Sequence, residues 1–191
     1  MEKAAGIVLI ISSILFLIAA FMPISMRVFS GSDPQRQIEY IEKDRRGWLI
    51  SCFLFGAGSL VTVVGFAIFA VQIVSNSAII KLALWLAIAS AAFGALQWVI
   101  IVYKRATTLP LEKIFNDDSG NNWAFPVYTI LTQIALIVVG FVLVQTGYPA
   151  WLGWGAVILA ALSLIAFLVF KDMPPFTHYL ITLVIGIVLT H

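Results

Sequence analysis

The sequence predicts an all-α fold, a polytopic membrane helix bundle with about six transmembrane helices, and three observations carry that prediction. First, 62% of the 191 residues are hydrophobic, only 10% are charged, and the mean hydropathy is +1.05. Soluble domains carry roughly 25% charged residues. An aqueous fold of this size could not hide so much apolar side chain, so lipid has to be the solvent. Second, the apolar residues fall into six runs, most of them near the ~20 residues that a helix needs to cross a hydrocarbon core. Third, lysine and arginine gather in alternate connections between these runs.

In chain order the runs are 4–29, 48–73, 78–103, 123–143, 150–170 and 176–190, within a single transmembrane domain covering 1–191. Each is expected to be helical, because lipid offers the backbone no hydrogen-bond partner. The first run opens behind Lys3 as a signal peptide does, but its length, the Phe21-Met22-Pro23 context and Arg27 beyond it favour a retained span. The sixth is the shortest and follows Pro174-Pro175, so it either crosses a thinned bilayer or stops short.

Of the eleven basic residues, nine fall at or in the connections 30–47, 104–122 and 171–175, and only Lys3 and Lys81 lie on the other side. The positive-inside rule makes those three loops cytoplasmic and puts both termini outside, in the cell membrane. Tryptophan placement agrees: Trp48, Trp98 and Trp123 sit toward the cytoplasmic ends, and Trp85, Trp151 and Trp154 toward the outer ends, where indole rings prefer the membrane interface.

The short connections 74–76, 145–149 and 171–175 predict antiparallel neighbours. Within the first long loop, Ser32-Asp33-Pro34 reads as a helix start and Gly47 as the end of that helix. Ile38, Tyr40 and Ile41 are expected to rest on lipid headgroups, with Arg45 and Arg46 meeting lipid phosphates at roughly 1 kcal/mol each. Membrane lipids are therefore the first expected partners; a docking surface for a cytoplasmic protein is the alternative. The second long loop holds Asn116-Asp117-Asp118-Ser119-Gly120-Asn121-Asn122, which lacks calcium-loop spacing and reads as a polar turn capping the next helix.

Several chemistries are disfavoured. No Asp, Glu, Lys or Arg lies deep in a span, which argues against an ion-coupled carrier and against a carboxylate-based intramembrane enzyme. The two histidines, His178 and His191, cannot supply a bis-histidine haem or a paired-histidine zinc motif, so no metal and no cofactor are expected. Gly56-Ala57-Gly58-Ser59 has the look of a nucleophile turn but no histidine nearby in sequence. Cys52, the only cysteine, reads as a small hydrophobe, and a net charge of +2 gives no reason to expect nucleic acid.

Within the spans, small residues align into faces when wound at 100° per residue. Gly58, Thr62 and Gly65 form one in the second span, Ala87 and Gly94 in the third, and Gly140, Gly153 and Gly186 mark the fourth, fifth and sixth. These are expected helix-packing positions, since small residues let backbones approach. The interface positions are Arg45, Arg46, Trp48, Trp123, Trp151 and Trp154. Counting 1.5 Å per residue from the cytoplasmic ends, Gln97, Thr129, Gln133 and Thr182 fall roughly 9–15 Å deep, with His178 and Ser51 a little below. Together these six are a candidate pocket for a neutral or weakly polar ligand. His178 reads more readily as a polar residue bonded to a neighbour than as a pH switch.

Three functional readings follow. The favoured one is a non-enzymatic bundle acting as an accessory or scaffolding subunit, with other membrane subunits or a second copy as partners. The alternative is binding or transport of a lipid or small neutral molecule through the cytoplasm-facing polar pocket. The third is a membrane enzyme with chemistry in the loops around Asp117, Asp118 and Lys171-Asp172, which no recognisable motif supports.

Overall fold

The computed structural model describes residues 2–30, 33–73, 77–111, 123–170 and 176–191. Over these residues the protein is all-helical, with α1 Glu2–Phe21, α2 Pro23–Ser30, α3 Pro34–Lys43, α4 Arg45–Gln72, α5 Ala78–Thr107, α6 Ala124–Gln145, α7 Ala150–Phe170 and α8 Phe176–Thr190. Five of them (α1, α4, α5, α6 and α7) are long and apolar enough to cross a membrane. The short connections 74–76 and 171–175 and the Asn116–Asn122 turn lie outside the described residues, as does Ser32.

The run read as one span over 4–29 is two helices. Pro23 has no N–H to continue the hydrogen-bond ladder of α1, and it opens α2 with its fixed φ instead. A backbone bond from Met22 N to Ala19 O, 3.4 Å long, closes the last turn before the bend.

The helix of the first long loop starts where Asp33 and Pro34 predict it: the Asp33 carboxylate accepts from Gln35 N at 3.0 Å. Its end differs from expectation. The break comes at Asp44, whose Oδ1 accepts from Gly47 N at 2.9 Å and so caps α4. A carboxylate satisfies an orphan amide that glycine cannot, so Gly47 falls inside the first turn of α4. It has to be small there, because a Cβ would stand 2.2 Å from Asp44 Oδ2. The apolar face of α3 also turns toward protein: Ile41 is fully buried among Trp48 and its neighbours, and Ile38 and Tyr40 pack on the same cluster.

Six helices form a ring. Proceeding round it, α1 packs on α4, α4 on α5, α5 on α6, α6 on α7, and α8 returns to α1. The α7–α8 seam is the slightest of the six. Glycines let these backbones meet. A Cβ on Gly6 would lie 2.7 Å from Gly186 O, and one on Gly140 would lie 2.7 Å from Gly153 O. Gly58 abuts Phe16 and Ser12, Gly65 abuts Leu9, and Gly94 faces the Tyr128 backbone. Ala87 packs with Ala91 and Ala135 in a small cluster of their own. Thr62 donates its hydroxyl to Gly58 O at 2.9 Å and also meets the Tyr179 hydroxyl of α8.

Two apolar clusters fill the ring. One holds Leu9, Phe66, Leu136, Val139 and Ile185; the other, toward the α3 end, holds Phe16, Trp48, Phe55, Trp98, Tyr128 and Tyr179. Trp48 and Trp98 are thus core residues, whereas Trp123, Trp151 and Trp154 are exposed.

Candidate functional site

The polar residues inside the ring fall into a bonded group and an unbonded one. The bonded group centres on Tyr128 of α6, which α6 aims at α4 and α8. The Tyr128 hydroxyl lies 2.5 Å from the Tyr179 hydroxyl, 3.2 Å from His178 Nε2 and 3.2 Å from Ser59 Oγ. Tyr179 in turn donates to Ser59 at 3.1 Å, and Ser59 donates to Phe55 O at 2.8 Å. All four side chains are buried. Aromatic faces close the group from both sides: Phe16 stacks on Tyr179 with centroids 3.7 Å apart and planes 14° apart, and Trp98 stacks on Tyr128 at 5.6 Å and 10°.

One consequence concerns serine chemistry. The base that the sequence did not place near Ser59 is present in space, but His178 Nε2 is bonded to Tyr128 rather than to Ser59. Ser59 in turn is engaged by a carbonyl and two phenols. This is the pattern of a structural lock between α4, α6 and α8, not of a nucleophile and its base.

The unbonded group lies one turn along α6. Gln133 is fully buried, and neither its Oε1 nor its Nε2 has a hydrogen-bond partner. Thr129, four residues back on the same face, is 1% exposed with an unpartnered hydroxyl. Trp98 Nε1 and His178 Nδ1 are likewise buried without partners. Buried polar atoms are almost always bonded, and each one left bare costs about 1–3 kcal/mol. Thr129 and Gln133, on one face of α6, are therefore a feature in need of an occupant.

The other residues of the sequence-predicted pocket stand apart. Ser51 is bonded to Ser25 of α2 at 2.5 Å, which ties the kinked segment to α4. Thr182 donates to the carbonyl of His178 at 2.8 Å. Gln97 lies half-buried beside Trp98 on α5. Sequence reasoning missed Tyr128 and gave Ser59 and Trp98 other roles, a nucleophile turn and an interfacial ring; buried phenol and indole groups seek partners, and that was the available signal.

A groove of about 390 Å³ opens between α7 and α8, where the ring is loosest. Its walls include Gly155, Leu159 and Ser163 of α7 and Leu180, Ile181 and Val184 of α8. Ser163 is also on the stripe Gly153, Ala156, Ala160 and Ser163 that α7 buries. Gly140 of α6 meets Gly153 and Val157 of antiparallel α7. Moving seven residues back along α6, roughly 10 Å, brings Gln133 to the height of Ala160 and Ser163. The groove and the unbonded amide thus share a depth.

Among the described residues no three His, Cys, Asp or Glu side chains stand together to hold a metal. Asp117, Asp118 and Lys171-Asp172 lie outside the described residues. No protein-family model, no curated protein and no solved structure matches the chain.

Proposed function

We propose that this chain is a non-catalytic binding protein of the membrane, holding a lipid-soluble molecule with a small neutral polar group against Gln133 and Thr129. The observation that carries the reading is the buried, wholly unpartnered amide of Gln133. A primary amide both donates and accepts, so it suits a ligand that does the same, such as an un-ionised acid, an amide or a hydroxy-carbonyl group. The α7–α8 groove supplies an apolar way in from the side, and its volume is within the range of ordinary small-molecule sites, ~300–1,000 Å³. With the basic loops on the cytoplasmic side, the site faces the inner leaflet.

The assembly-subunit reading asks for an outward stripe of small residues to receive another chain. Gly6, Gly58, Gly65, Gly94, Gly140, Gly153 and Gly186 are instead occupied in contacts within the ring. That balance favours binding over scaffolding.

The test is native mass spectrometry of the protein released from lipid particles, wild type against Gln133→Leu. The expected result is one retained small molecule on the wild type and none on a variant that stays folded. Equal retention by both proteins, or a bare wild type, would overturn the reading.

A further inference from the structure

The α7–α8 groove has a shape that a mere entrance does not need. Its α7 wall carries Trp151, Gly155, Leu159 and Ser163 at successive steps of four. Residues so spaced stand one above the other on a helix. The α8 wall repeats the step with Thr177, Ile181 and Ile185. Two facing rows of this kind make a straight slot. From Trp151 to Ser163 is twelve residues, so the slot is roughly 18 Å long. That is close to the ~15 Å that one leaflet contributes to a ~30 Å hydrocarbon core.

The hydroxyl groups of the slot are confined to one end. Ser163 and Thr177 lie where α7 runs out and α8 begins, on either side of the 171–175 connection, and from there to Trp151 the walls are hydrocarbon. Two contacts fix what stands behind this end. Gly140 meets Gly153 at one end of the α6–α7 seam, and the rings of Phe125 and Phe167 meet at the other with centroids 5.9 Å apart. One turn in from that ring pair, Thr129 comes level with Ser163; one turn more brings Gln133 level with Leu159 and Ala160. Seven residues at 100° each leave Gln133 within about 20° of Gly140 around the α6 axis, so its amide faces α7. The α7 residues buried at this level are the small Ala160 and Ser163, and Ser163 also borders the slot. An apolar slot one leaflet long thus ends at a hydroxyl adjoining a buried amide and a buried hydroxyl that have no partners.

We propose that the slot seats the straight hydrocarbon tail of an amphiphile whose neutral head meets Ser163, Thr129 and Gln133, so that the protein selects its ligand by chain length. The ligand class is a long straight-chain lipid with a neutral donor–acceptor head, of which a fatty primary amide is the simplest. This rests on the reading of Gln133 given above and extends it from the head to the tail. The head end is fixed by polarity, because a bare buried amide and a bare polar head each lack what the other supplies. Gly155 is where the contributions of head and tail can be separated. A Cβ there meets nothing within 4 Å, so a larger side chain can enter the slot without disturbing the bundle. It would do so eight residues from Ser163, roughly 12 Å along the tail.

The experiment measures binding of hexadecanamide and of octanamide, whose tail ends short of Gly155, to the full chain in the same detergent by equilibrium dialysis. Wild type is expected to bind hexadecanamide about tenfold tighter than octanamide. Gly155→Leu should bring hexadecanamide down to the affinity of octanamide and leave octanamide unchanged, with no loss of thermal stability. Gln133→Leu should lose both. If Gly155→Leu does not fold, Val184→Phe fills the slot from the α8 side and should act in the same way. Equal affinity of wild type for the two amides overturns the proposal, and so does full hexadecanamide binding by the filled variant; loss of both ligands in Gln133→Leu then leaves the Gln133 reading standing. Failure of wild type to bind either amide, or unchanged binding by Gln133→Leu, overturns the head site and the slot together.

Discussion

The phenol oxygens of Tyr128 and Tyr179, 51 residues apart in the chain, meet at 2.5 Å inside the ring of helices. Neither helix has another buried tyrosine. The contact joins α6 to α8 across the interior, where those two helices otherwise touch little. It is therefore a fastening that the backbone packing does not duplicate.

Removing either hydroxyl should loosen the bundle. Tyr128 bonds Ser59, His178 and Tyr179, and Tyr179 bonds Ser59, Tyr128 and Thr62, so Tyr128→Phe and Tyr179→Phe should cost similar amounts, each of order 0.5–1.5 kcal/mol. The double variant should cost less than the sum, because both substitutions break one shared bond. Unfolding titrations in mixed micelles measure all three.

Gly140 and Gly155 offer a contrast within the same helix pair. Gly140→Ala would put a methyl 2.7 Å from a backbone oxygen, and the α6–α7 seam would have to part, at about 1–3 kcal/mol. Gly155→Ala meets nothing within 4 Å and should be neutral or slightly stabilising. A thermal shift that treats the two alike would contradict the packing described.

Asp44→Ala should destabilise by about 1 kcal/mol through the lost cap on α4. Asp44→Asn should restore most of that, since an amide oxygen accepts from Gly47 equally well. The comparison separates capping from any charge effect on the neighbouring Arg45.

Gln133→Leu carries a stability signature as well as a binding one. In protein stripped of its ligand the change should be neutral or should stabilise by up to about 1–3 kcal/mol, because it removes an unpaired buried amide. Denaturation of delipidated wild type and variant in the same detergent measures this. A clear loss of stability there would mean that the amide is bonded within the chain.

How much of this was legible beforehand depended on the scale of the pattern. Helices come from runs of apolar residues, so α4 to α8 could be drawn from the sequence within a few residues at each end. The bend at Pro23 was hidden because Met22, Ile24, Met26 and Val28 continue the apolar run straight through the proline. At the candidate site, Thr129 and Gln133 stood out as polar residues on an apolar face. Ser51 and Thr182 carried the same signal, yet their hydroxyls are satisfied by Ser25 and by a helix carbonyl. Polarity alone does not distinguish a bonded group from a bare one. Tyr128 went unread, and Ser59 was weighed only as a nucleophile, because their significance lies in helices that neighbour each other only in the ring, and no periodicity within one helix encodes that arrangement. Trp48 was placed at the lipid interface by its position near a span end, where α3 and its Ile41 in fact cover it.

The meeting of Gly6 with Gly186 has a consequence for biogenesis. Helices α1 to α7 can insert and pair one after another as the ribosome delivers them, each beside its predecessor or one close behind it. The exposed flank of α1 must wait until α8 emerges, nearly the whole chain later, and contacts of such long separation form slowly. Throughout that interval the nascent protein is an open arc with a vacant glycine face at its leading edge. A translocon chaperone, or a cut that removes the final helix, would act on that arc rather than on the closed ring.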